Sequence, residues 1–244
     1  MIRFILTFGF LLIFLIVTIP VRGIEHIIAK FNPELKDRSS LAIVSWALRC
    51  CMYTSGAKVD FIGEENIPKD IPVMYVGNHR SYFDIILTYP RVPRPTGYIA
   101  KKEMEKIPML SAWMRLLHCL FLDRSDVKAG MKTILEAIDK LKNGISICIF
   151  PEGTRSKIPD EMGEFHEGSF KIAAKAGCPI IPMTINNSSS LFEDQFPRMK
   201  KSHVIIEYGK PIYINELPAE YKKKPGAYVK QIISETYAKN KELL

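Results

Sequence analysis

The chain has 244 residues, 47% hydrophobic and 25% charged, a globular composition long enough for one α/β domain with an appendage. Its formal net charge of +8 calls for anionic partners. With no zinc spacing, no aromatic-basic RNA signature and no basic helix with heptads, a nucleic-acid module is excluded, and a membrane surface or a phosphorylated substrate remains.

Phe4 to Val21 is almost wholly apolar. As a helix it would be about 27 Å long, just short of a bilayer core of about 30 Å. A secretory signal is the alternative, weakened because Pro20-Val21-Arg22-Gly23 stands where a small-residue cleavage site belongs. The reading favoured is a retained anchor. Arg22, Lys30, Lys36 and Arg38 follow it and only Arg3 lies within it or before it, which puts the rest of the chain on the cytoplasmic side of a cell membrane. Leu41 to Tyr53 is a second apolar run, either an interfacial or re-entrant helix paired with the first or an ordinary core helix. Residues 1–56 are thus expected to form the anchoring helices, and 57–244 an α/β domain.

From Lys58 onward, short strands alternate with helices. Strands are expected at Val59–Ile62, Val73–Val76, Tyr98–Ala100, Phe121–Leu122, Ile145–Phe150, Ile180–Ile185, Val204–Tyr208 and Ile212–Ile214. Helices are expected from Ser81 to about Tyr89, from Met109 to Leu120 and from Val127 to Asn143 with Ser125 as cap. Two more are expected near Gly168 to Gly177 and from Tyr228 to Lys239. Ile145–Phe150 is continuously apolar, as in a strand buried on both faces. The alternation implies α/β architecture with a mixed, mostly parallel sheet flanked by helices. Cys50, Cys51, Cys119, Cys148 and Cys178, without a CxxC pair or metal-ligand spacing, read as reduced core residues of a cytosol-facing protein.

Two stretches carry chemistry. Gly77 and Asn78 break the strand that ends at Val76, and His79 and Asp84 follow. On one helix the pair would lie about 140° apart, since each residue turns about 100°. They meet only if the chain turns between them, as at a strand-to-helix junction. A histidine oriented by a carboxylate is the usual construction of a general base. Ser81-Tyr82-Phe83-Asp84 also fits a capping box, which needs no chemistry. The second stretch, Pro151-Glu152-Gly153-Thr154-Arg155-Ser156, follows the buried strand, where α/β sheets place ligands. Arg155 suits phosphate through its planar fork, and a plain turn with a surface arginine is the competing reading.

Asn78-His79-x4-Asp84 followed by Phe150-Pro151-Glu152-Gly153-Thr154-Arg155-Ser156 resembles the glycerolipid acyltransferases, most closely the 1-acyl-sn-glycerol-3-phosphate acyltransferases. Lys101-Lys102-Glu103-Met104 with Ile107-Pro108, Phe121-Leu122-Asp123-Arg124, Cys178-Pro179-Ile180-Ile181-Pro182 and Gly209-Lys210-Pro211-Ile212 are similar to further blocks of that family, in its order, over roughly Val59 to Ile214. The chain departs from it at Phe165-His166-Glu167-Gly168, where the family often has Phe-Lys-x-Gly, and at Ser111 and His118, where glycines are common.

The resemblance implies acyl transfer from acyl-CoA or acyl carrier protein to a lysophospholipid hydroxyl, with no further cofactor and no metal. In that reading His79 is the base and Asp84 its orienting carboxylate. Lys101, Arg124 and Arg155 are candidates for the acceptor phosphate, while Glu152, Gly153 and Thr154 border the site and Glu152 orders the arginines. The partners implied are membrane lipid, the lysophospholipid and the thioester carrier. Another lysolipid or glycerol 3-phosphate as acceptor, a non-catalytic lipid-binding protein of the same fold, and a metal hydrolase using His79, Asp84, Glu152 and His166 are the rival readings.

Overall fold

The computed structural model describes residues 1–156, 158 and 161–244. The N-terminal segment is helical: α1 (Ile2–Val17), α2 (Ile19–Phe31) and α3 (Pro33–Ser55). Asn32 caps α3, its Oδ1 accepting from Leu35 N at 3.0 Å, and Gly56 ends it in the left-handed region at φ +80°. The chain then alternates through β1 (Ala57–Ile62), β2 (Met74–Gly77), α4 (Phe83–Thr88), β3 (Thr96–Lys101), α5 (Pro108–Leu116) and β4 (Leu120–Leu122). It continues through α6 (Val127–Lys142), β5 (Ser146–Ile149), α7 (Lys171–Ala176), β6 (Ile180–Asn186), β7 (Ser202–Tyr208) and α8 (Pro225–Lys241).

Among the described residues, seven strands form one sheet in the order β1-β7-β6-β2-β5-β3-β4. The five from β6 to β4 run parallel, while β7 is antiparallel to β6 and pairs in parallel with β1. The carboxyl ends of β6, β2, β5, β3 and β4 therefore share one edge. Every residue of β2, β5 and β6 is buried, as central parallel strands covered on both faces require.

Successive side chains of a strand point to opposite faces, and the core divides accordingly. Val73 and Tyr75 pack with Phe83, Leu87, Trp113 and the N-terminal helices on one face. Met74 and Val76 pack with residues of α6, α7 and α8 on the other.

The structure adjusts several expectations. Asp126, not Ser125, caps α6, its Oδ1 accepting from Lys128 N and Ala129 N; Ser125 is turned back onto Asp123. Ile212 makes a single antiparallel bridge with Ile180 rather than a strand, and residues 214–216 form a 3₁₀ turn. Pro211 has no N–H to extend a ladder. The segment before α7 is likewise a 3₁₀ turn over Glu167–Phe170.

The two apolar N-terminal runs pack on the domain. Phe4 and Phe8 of α1 lie 5.7 and 5.4 Å from the ring of Phe192, Phe14 stacks 5.8 Å from Trp113, and Trp113 Nε1 donates to Thr18 Oγ1 at 2.9 Å. The run Leu41 to Tyr53 is the second half of α3, which puts Val44, Ala47 and Cys51 into the core. No single helix among the described residues is long and apolar enough to cross a membrane. The α1–α2 pair, bent by 53°, meets the criterion together by length and composition. The faces of α1 and α2 away from the core carry exposed Ile5, Ile13, Ile16, Ile24, Ile27 and Phe31.

Candidate active site

The strand-to-helix junction after β2 brings His79 and Asp84 together. His79 Nδ1 lies 2.7 Å from Asp84 Oδ2. A carboxylate oxygen only accepts, so Nδ1–H donates, and in the neutral ring the lone pair is left on Nε2. Among the described residues Nε2 has no protein partner. The ring stacks on Phe150 with centroids 4.3 Å apart, which fixes its plane and leaves the side chain 17% exposed.

Asp84 is fully buried and used on both oxygens. Oδ2 also accepts from Arg80 N at 2.8 Å and Ser81 N at 2.9 Å, and Oδ1 accepts from Ser188 Oγ at 2.5 Å. The bond from Ser81 N is the backward half of a capping box, so the capping and base-orienting readings of Asp84 hold at once. Ser81 itself is buried, its Oγ donating to Glu193 Oε2 at 2.7 Å and accepting from Phe83 N. It is not placed as a nucleophile. Nor are the buried thiols activated: burial pushes Cys119 and Cys178 up to about 11 and Cys51 up to about 12.

The Pro-Glu-Gly loop follows β5, the neighbour of β2, and is fastened to the histidine turn. Glu152 Oε1 accepts from His79 N and Oε2 from Gly163 N, both at 2.7 Å, while Ser156 N donates to His79 O at 2.8 Å. Burial raises the Glu152 carboxyl above its ordinary range, and the two backbone donors oppose that shift. The expectation that Glu152 orders the arginines is therefore corrected: its carboxylate holds the backbone at His79 and at Gly163.

Gly153 takes φ +77°, and a Cβ there would lie 2.8 Å from Arg124 Nη1, so the Arg124 guanidinium rests against this glycine. Arg124 comes from the end of β4 and Lys101, exposed, from the end of β3. Lys102, its neighbour, is taken by Asp123 at 2.7 Å. Thr154 is exposed on the loop. Arg155 is already engaged: Nη1 donates to Glu193 Oε1 at 3.0 Å, and its guanidinium stacks 3.7 Å over the Tyr82 ring. His166, at the position where the resemblance expects lysine, donates its backbone N–H to Pro151 O at 3.1 Å and is exposed.

Two groups at this site escaped the sequence reading, and a third, Asn78, stood in the motif without a role. Ser188 and Glu193 arrive from beyond β6 and touch residues more than a hundred positions away. Asn78 clasps β6, donating to Ile185 O at 2.9 Å and accepting from Ile185 N at 2.8 Å. Only the Asn-His dipeptide signals Asn78 locally; nothing local signals the other two.

A family profile described as Acyltransferase matches residues 58–186, which contain both the histidine turn and the Pro-Glu-Gly loop. The chain belongs to this acyltransferase family. Among curated proteins, the acyltransferase is 30% identical over 217 residues to the 1-acyl-sn-glycerol-3-phosphate acyltransferase of Saccharomyces cerevisiae, covering 86% of this chain and 70% of the relative. It is 29% identical over 209 residues to a probable 1-acyl-sn-glycerol-3-phosphate acyltransferase of Mycoplasma pneumoniae, covering 84% and 76%. The crystal structure of the 1-acyl-sn-glycerophosphate acyltransferase PlsC from Thermotoga maritima superposes with a TM-score of 0.77 at 26% identity, covering 97% of this acyltransferase and 96% of PlsC.

Proposed function

We propose that the protein moves a fatty acyl group from a thioester, acyl-CoA or acyl carrier protein, to the sn-2 hydroxyl of 1-acyl-sn-glycerol 3-phosphate. The product is phosphatidic acid for phospholipid synthesis. The observation that carries this reading is the His79–Asp84 pair, 2.7 Å apart at the carboxyl edge of the sheet, with Nε2 open and Arg124 near at hand. The names of the relatives support the choice of acceptor.

In this mechanism Nε2 of His79 takes the proton of the acceptor hydroxyl, and Asp84 steadies the imidazolium. The oxygen attacks the thioester carbon, a C–O bond forms and the C–S bond breaks. The departing thiolate recovers the proton from His79, which regenerates the neutral base. No acyl-enzyme is needed, in keeping with the occupied Ser81 and the raised thiols of Cys51, Cys119 and Cys178. Arg124 and Lys101 receive the acceptor phosphate; Arg155, already held by Glu193, shares in it or shapes the turn beside it.

The α1–α2 pair serves as the membrane contact, with its exposed isoleucines and Phe31 lying in the lipid interface and the sheet edge on the cytoplasmic side. The basic surplus favours anionic lipid.

The deciding assay offers the purified protein labelled acyl-CoA or acyl carrier protein with lysophosphatidic acid, glycerol 3-phosphate or lysophosphatidylcholine. Preference for either of the latter two overturns the acceptor assignment. Arg124→Ala is expected to raise the lysophosphatidic acid KM about tenfold or more, the worth of a hydrogen bond to a charged group, with the donor KM unchanged. Serine substitutions at Ile5, Ile13 and Ile16 together are expected to weaken flotation with anionic vesicles; undiminished flotation would move the lipid contact elsewhere.

A further inference from the structure

The side of the histidine turn reached by Arg80 has no part in the mechanism above. Beside β6 and α8 lies a cavity of about 330 Å³ lined by Arg80, Asn186, Asn187, Asp194, Tyr237 and Lys241, with Ser189 and Leu244 completing the wall. This is within the size range of small-molecule sites. The strand order separates it from Arg124. β6 adjoins β2 on one side, while β5, β3 and β4 lie on the other, so His79, at the end of β2, stands between the cavity and the Arg124 cluster.

The walls select a ligand class. Arg80 is chained by its backbone to Asp84, 2.8 Å from Oδ2, and its side chain reaches this cavity. One guanidinium nitrogen donates to Ile158 O, and the remaining donors have no partner among the described residues. Asn186 is 1% exposed. Its Nδ2 donates to Tyr237 O at 2.9 Å, and its Oδ1 is buried without a partner among the described residues. An orphaned buried acceptor calls for a ligand N–H. Asp194, the carboxylate in the wall, accepts from Ser189 Oγ at 2.9 Å. Apart from Leu244 every lining residue carries a polar group, and their apolar stems and the Tyr237 ring lie between those groups, which suits an arm of alternating amides and methylenes.

From this we infer that the cavity holds the phosphopantetheine arm of the thioester donor, with the phosphate against Arg80 and an arm amide N–H on Asn186 Oδ1. The inference rests on the acyl-transfer reading and deepens it. Donor and acceptor approach His79 from opposite sides, each steered by its own phosphate. The arm is common to coenzyme A and acyl carrier protein, so the cavity reads what the two carriers share.

The test separates binding from turnover. Calorimetry on the full chain and on its His79→Ala variant measures affinity for coenzyme A, 4′-phosphopantetheine and pantetheine, which lacks the phosphate. Pantetheine is expected to bind about tenfold more weakly than phosphopantetheine, and Arg80→Ala is expected to erase that difference. In steady state, Arg80→Ala should raise the donor KM about tenfold with the acceptor KM unchanged, and Arg80→Lys should recover part of it. Both carriers are assayed: a rise with either supports the assignment and names the carrier in use. Unchanged donor KM, a rise confined to the acceptor, or equal binding of pantetheine and phosphopantetheine in the wild type overturns it. Circular dichroism of each variant guards against misfolding. If His79→Ala kept full turnover, the base assignment would fail while the calorimetric comparison would still decide the cavity.

Discussion

His79→Ala is expected to lower kcat by about 10²–10⁴-fold, the usual contribution of a positioned general base. The fold should survive. The ring is partly exposed and stacks on a single phenylalanine, and the backbone bonds of residue 79 to Glu152 and Ser156 do not depend on the side chain. Both KM values should stay within a few-fold of wild type, because the imidazole acts on the hydroxyl and not on either phosphate. A variant that melts normally and turns over at the wild-type rate would remove His79 from the chemistry.

Asp84→Ala should cost both activity and stability. Four donors converge on this fully buried carboxylate: the His79 ring, the Arg80 and Ser81 backbone amides, and the Ser188 hydroxyl. Leaving several unpaired costs about 3 kcal/mol or more, and the melting midpoint should fall by about 10 °C. Asp84→Asn separates the two effects. Its single amide oxygen still accepts, so less stability is lost. Its NH₂ can turn to the Ser188 hydroxyl, which accepts as well as donates, but the imidazole loses its ionic partner and kcat should fall about 10²-fold or more. Normal turnover in the asparagine variant would show that Asp84 only caps α4.

The same carboxylate shows what a sequence can and cannot disclose. The spacing of His79 and Asp84 around a strand end was readable because it is local. Both readings of Ser81-Tyr82-Phe83-Asp84 proved compatible, since one carboxylate has room for a ring N–H and for backbone amides. The buried run before Phe150 and the helix of Met131 to Leu141 were equally plain from hydrophobic period. Glu152 was misread because its partners are backbone N–H groups, which leave no trace in residue identity. Glu193 and Ser188 were missed because only the path of β6 delivers them. Arg155 looked free in sequence; its carboxylate partner lies thirty-eight positions away. The N-terminal runs were legible as apolar, yet periodicity could not say that one side of α1 would be spent on Phe192 and Trp113.

That packing has a practical consequence. Phe192, the ring on which Phe4 and Phe8 rest, is joined directly to Glu193, which grips Ser81, Tyr82 and Arg155. Cutting away the first helix would therefore pull the floor from under a residue that braces the catalytic turn. A truncated protein that had lost its activity would reveal nothing about lipid attachment, and only outward-facing point changes can tell the two apart.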